Sequence, residues 1–128
     1  MSLGDTRDLD GITGAIDAAF KLHVGLGPGL LESVYQSILA RDLARRGLTV
    51  NTGWLIPFEY DGMKFDSGLR VETLVENTVV VELESVEQLS SVNPKQLLTY
   101  LRLLHLPVGL LINFGAVRLK DGIRRIAN

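Results

Sequence analysis

The chain has no cysteine. That absence removes disulfides, thiol nucleophiles and thiolate metal sites together, and it fits a reducing, cytoplasmic setting. Histidine is nearly as scarce, and the two present, His23 and His105, lie far apart in apolar neighbourhoods and read as packed or boundary residues. No apolar run is long enough for a membrane: the greasiest, LLHLPVGLLI, is about half the roughly 20 residues a spanning helix needs, and it contains Pro107. The start, MSLGDTRDLD, is polar and acidic and lacks the apolar centre of a secretory leader. Residues 1 to 7 are expected to be disordered or tag-derived. A large charge of one sign is also missing: the formal net charge is −2, so bulk charge advertises neither nucleic acid nor an anionic membrane as partner.

What is there suits one globular domain over residues 8 to 128. The 128 residues are 46% hydrophobic and 22% charged, enough to bury a real core and too few for two ordinary domains. Charge is unevenly spread. Between Glu59 and Glu87 eight acids face two bases, while Arg41, Arg45 and Arg46 and the group Arg118, Lys120, Arg124 and Arg125 lie outside that stretch. An acidic middle with basic flanks could hold a cation between phosphate-binding edges; on charge alone a solvated surface is the simpler reading.

Leu9, Ile12, Ile16, Ala19 and Phe20 recur at helical spacing and predict a helix over residues 6 to 24, capped by Asp5 or Thr6. GLGPGL ends it, and Pro28 suits the first turn of a second helix that stops at Gly47, with Leu31, Val34, Tyr35 and Ile38 as its apolar stripe. From Leu48 the period turns to two. LTVNTGWLIPFEY reads as a strand that Pro57 marks as an edge or a bulge, Asp61-Gly62 as a hairpin turn, and MKFDSGLRVETLV as the return strand, bent near Gly68. Glu76-Asn77 then turns into TVVVELES. NPKQLLTYLRLLHL predicts a third helix with Asn93 as N-cap and Pro94 at its first position, and LPVGLLINF a buried strand. A last hairpin through Asp121-Gly122 pairs VRLK with IRRIA. The order is ααβββαββ(β), an α/β sandwich with a mixed sheet and helices against it.

The acids are the informative residues. Three valines at 79 to 81 suit a strand buried on both faces, yet Glu82 and Glu84 follow, on one face and roughly 6 to 7 Å apart. Two like charges there cost several kcal/mol unless a cation or hydrogen-bond donors compensate. Glu32, on the margin of the second helix's stripe, and Glu72, mid-strand beside Arg70, complete a set of oxygen donors of the kind Mg²⁺ takes. Each alone has a plain reading, Glu32 as a first-turn acid and Glu72 as half of a surface ion pair.

Gly29, Glu32 and Tyr35 in GLLESVY follow the pattern G-x-x-E-x-x-Y, and in this the chain resembles the GxxExxY family of the PD-(D/E)xK nuclease superfamily. Further matches run in order: Tyr60 and Gly62, Arg70 and Glu72, the V-E-L of Val81 to Leu83, the RecB-like Q-x-x-x-Y of Gln96 and Tyr100, and the ending LINF…LKDGIRR. The resemblance implies a restriction-endonuclease-like core, DNA or RNA as partner, and Mg²⁺ or Mn²⁺ held by Glu32, Glu72 and Glu82, with Gln96 and Tyr100 bordering the site. Two positions depart from the pattern. Glu72 stands where Asp is usual, and Glu84 stands where the catalytic lysine is expected, as a further ligand or general base, with Lys95 first and Lys64 second as substitute cations. The expectation is therefore twofold: a divalent-metal-dependent phosphodiester hydrolase, or a degenerate nuclease-fold module that binds nucleic acid or protein or forms homo-oligomers.

Overall fold

A computed structural model describes residues 6 to 128; the expected cap at Asp5 and most of the N-terminal stretch lie outside it. Helix α1 runs Thr6–Leu26, and helix α2 runs Glu32–Arg45. Strands β1 (Val50–Tyr60), β2 (Met63–Val75) and β3 (Val79–Glu84) follow, then helix α3 (Val92–Leu104) and strands β4 (Val108–Asn113) and β5 (Ile123–Ala127). The five strands form one sheet in the order β1-β2-β3-β4-β5. All neighbours are antiparallel except β3 and β4, which the α3 crossover makes parallel. The expected mixed α/β sheet with flanking helices is what the chain forms.

Burial sorts the strands. All six residues of β4 and the valines of β3 are buried, as a central parallel pair covered on both faces must be. Val79, Val81 and Leu83 pack with Ile12, Ala15, Ala18 and Ala19 of α1 and with Tyr35, Leu39 and Leu43 of α2. Val80 packs the other way, with Leu97 and Leu101 of α3 and Leu111 of β4. The strand alternation thus carries Glu82 and Glu84 onto the α3 face.

Four sequence expectations are corrected here. Pro28 is not in α2: Gly27 and Gly29 both adopt positive φ, 74° and 108°, which no helix continues, so the helix begins at Glu32. The buried stripe of α2 is Tyr35, Leu39 and Leu43, whereas Leu31, Val34 and Ile38 are exposed. The α1 and β3 side chains pack against the Tyr35-Leu39-Leu43 stripe and so select it. In α3 the N-cap is Ser91 rather than Asn93, which sits inside the first turn. VRLK forms no strand: Leu119 drops into the core at the head of a 3-10 turn, Leu119–Gly122, and IRRIA pairs with β4 instead.

Pro57 stands on an edge strand and also at a register shift between Ile56 and Phe58, so both parts of the expectation hold. The β1-β2 hairpin outreaches the sheet. Its strands pair all the way to Tyr60 and Met63, but β2 meets β3 only from Thr73 to Val75, and the outer arm leaves Trp54, Leu55, Tyr60, Met63 and Phe65 exposed. Among the described residues no helix is long and apolar enough to cross a membrane.

Candidate functional site

Glu32, Glu72, Glu82 and Glu84 meet where β3 leaves the sheet, and the reason is local. The β2-β3 ladder ends at Thr73 opposite Val81, so beyond that pair the next residues, Glu72 and Glu82, are free to turn their carboxyls toward each other. Glu72 and Glu82 share a side-chain hydrogen bond, and Glu84 shares one with Glu32 at the head of α2. Asn93 of α3 adds a third contact, its Nδ2 donating to Glu84 Oε1 at 3.1 Å.

Burial and crowding raise the proton affinity of Glu72, Glu82 and Glu84. Burial first, then the charge and hydrogen bond of Glu72 and the charge of Glu84, push Glu82 up to about 8, against a backbone N–H of Glu72. Burial, then the charge and hydrogen bond of Glu32 and the charge of Glu72, push Glu84 up to about 7. Glu72 is raised by burial and by Glu32, and held back by Glu82, the Leu83 N–H and Arg70. The Glu72–Glu82 contact opposes the rise at Glu72 and adds to it at Glu82. Near neutral pH Glu82 is a carboxylic acid and Glu84 is close to half ionised. Glu82 Oε1 is buried and has no hydrogen-bond partner.

The frame around the acids is rigid. Tyr35 is fully buried and stacks on Phe114, ring centroids 4.3 Å apart and planes 4° apart. Its hydroxyl donates to Gly27 O at 2.5 Å and accepts from Leu30 N at 3.1 Å, which ties the α1-α2 connection down just ahead of Glu32. Ser85 Oγ, one residue past Glu84, donates to Leu30 O at 2.6 Å, and Gln36 Nε2 donates to the carbonyl of Glu72 at 2.6 Å. Asn113, level with Glu84 across the parallel pair and 3% exposed, accepts from Val86 N and Gly115 N and donates to Val86 O. Gly115 lies so close to Val86 that any Cβ would overlap its backbone.

This architecture is matched over residues 10–126 by the family model of the PD-(D/E)XK nuclease superfamily. The chain belongs to that superfamily. No curated protein and no solved structure matches it. Nucleases of the PD-(D/E)XK superfamily typically use divalent metals, and a metal can be tested against the residues present. An all-oxygen, acidic donor set with an orphaned buried oxygen fits a hard cation in its chemistry. As they stand, no three His, Cys, Asp or Glu side chains among the described residues are arranged to hold one. The carboxyls are turned to each other, and taking up a cation means giving up those mutual hydrogen bonds and their protons.

The remaining expected residues divide. Gln96 and Tyr100 lie one turn apart on α3 and bond each other, Nε2 to hydroxyl at 3.3 Å, with no bond to the acids. Lys95 is exposed in the first turn of α3, and Lys64 pairs opposite Glu59 out on the hairpin arm. Among the described residues, the cation that acts on the raised carboxyls is Arg70, on Glu72. Sequence reasoning missed Gln36, Ser85 and Asn113. Asn113 left a signal, a single amide closing the apolar run LPVGLLIN; Gln36 and Ser85 left none, because they act through backbone groups distant in sequence.

Proposed function

We propose that this chain is a GxxExxY-type nuclease that hydrolyses phosphodiesters of DNA or RNA with Mg²⁺ or Mn²⁺ held by Glu32, Glu72 and Glu82. The observation that carries this reading is the meeting of four glutamates from three elements at one sheet end, two with proton affinities raised into the neutral range. Bound there, a divalent cation offsets phosphate charge and acidifies an attached water. Glu84, in the lysine position, takes the proton of the attacking water once Glu32 has left it to become a ligand. Asn93 orients it, donating to its Oε1 at 3.1 Å. Lys95 faces solvent at the head of α3 and meets the approaching phosphate, while Gln96 and Tyr100, held together, border the substrate path.

The test is nicking of supercoiled and single-stranded DNA, and cleavage of RNA, in Mg²⁺ or Mn²⁺. Glu82→Ala should abolish cleavage, and Glu84→Gln should slow it by roughly 10²- to 10⁴-fold. Cleavage that survives Glu82→Ala overturns the proposal. A second reading, a degenerate nucleic-acid or protein-binding module, is favoured by one observation: among the described residues no lysine pairs with the acids. It predicts an inactive wild type, and cleavage gained in Glu84→Lys. A DNA affinity that does not change with log salt would exclude nucleic acid from both.

A further inference from the structure

Helices α1 and α2 leave a groove between them, and its chemistry is unlike that of the acid cluster. The groove encloses about 370 Å³, within the range of small-molecule sites. Its walls are aliphatic, from Leu22 and Leu26 of α1 and Ile38 and Leu39 of α2.

Cations guard the rim. Arg41 and Arg45 line it one helical turn apart, and neither has a carboxylate partner among the described residues. The one acid of the lining, Asp42, is engaged by Arg46 at 3.2 Å and lies 3.9 Å from Lys21. Two guanidiniums without a carboxylate among the described residues thus line an otherwise largely aliphatic groove, in a chain whose net charge is −2. Leu26 and Ile38 are 51% and 38% exposed, so the floor is open to a ligand. A guanidinium pair recognises carboxylate or phosphate through forked hydrogen bonds, and the aliphatic walls add affinity only for a ligand with an apolar body.

We infer that the α1-α2 groove binds an amphipathic organic anion, a carboxylate or phosphate monoester carrying an aliphatic or aromatic body, with the head on Arg41 and Arg45 and the body against Leu22, Leu26, Ile38 and Leu39. This site is separate from the glutamate cluster and stands whether or not the chain cleaves nucleic acid.

The probes are octanoate and octyl phosphate, with octanol, acetate and inorganic phosphate as controls, titrated into the full chain by calorimetry and by amide NMR. Octanoate or octyl phosphate should saturate a single site and shift amides of α1 and α2; whichever binds tighter identifies the head group. Arg41→Glu with Arg45→Glu should weaken binding at least tenfold. Leu26→Glu, which puts a like charge on a half-exposed groove wall, should weaken binding at least tenfold while moving the thermal melt by no more than about 3 °C. Octanol binding as tightly as octanoate, acetate or phosphate binding equally well, shifts confined to other elements, or variants that bind like wild type would each overturn the inference.

Discussion

The two ends of the β2 strand break the usual solvation rule in opposite ways. At its inner end, Glu72 meets three other carboxyls in a partly buried cluster; at its outer end, the hairpin arm carries Tyr60, Met63 and Phe65 into solvent. The inner violation is costly and heavily compensated, by shared protons, by Asn93, and by the frame of Tyr35, Ser85 and Asn113. The outer one is nearly free, since an exposed apolar side chain loses little that it had in the unfolded chain. A costly arrangement that the fold goes to such lengths to hold marks the place where chemistry happens; an inexpensive one does not.

The largest test of this contrast is Tyr35→Ala. Loss of the Phe114 stack, a cavity, and two unpaired backbone groups should destabilise by about 3 to 5 kcal/mol, measured by urea denaturation. Should it cost under 1 kcal/mol, the α1-α2 connection is not held as described. Asn113→Ala comes next. It strands the Val86 amide and carbonyl and the Gly115 amide, and about 2 to 4 kcal/mol is expected, in line with each unmet buried group costing roughly 1 to 3 kcal/mol.

Third is the pH dependence. Folding raises Glu82 to about 8, above the roughly 4.3 of an unfolded glutamate, so between those values the folded chain binds more protons and stability falls as pH rises. The metal-free protein should therefore lose stability from pH 5 to pH 9. Glu82→Gln should flatten this, melting roughly 3 to 6 °C above wild type at pH 9 and level with it at pH 5. A melting temperature of wild type that rises with pH over this range would contradict the buried proton on Glu82. The smallest effect is on the arm: Met63→Thr, at the exposed hairpin tip, should change stability by no more than about 0.5 kcal/mol, and a loss of 2 kcal/mol would mean that the arm is covered in solution.

Much of the fold was legible because period and punctuation agree. Asp61-Gly62, Glu76-Asn77 and the VVV of β3 placed the meander, and the apolar run ahead of Asn113 placed the buried strand. The face of α2 was not legible. Its sequence carries two apolar stripes, Leu31-Val34-Ile38 and Tyr35-Leu39-Leu43, and only the sheet decides which is buried. The end of the chain misled for a similar reason: IRRIA can pair locally with VRLK or at a distance with β4, and burial of Leu119 chose the second. At the site, sequence named the four glutamates that come together, but not the pairing by shared protons or the backbone clamps, which depend on contacts across 27 to 55 positions.

The parallel pairing of β3 with β4 also sets an expected order of assembly. The β1-β2 hairpin closes over the tight turn at Asp61-Gly62, and local closures of this kind form in about 1 to 10 μs. Glu84 and Asn113, by contrast, are brought level only after the whole α3 crossover has been laid down, a long-range closure that slows folding. The strand that bears Glu82 and Glu84 therefore acquires its second neighbour late, and pulse-labelled hydrogen exchange should protect the amides of β1 and β2 before those of β4.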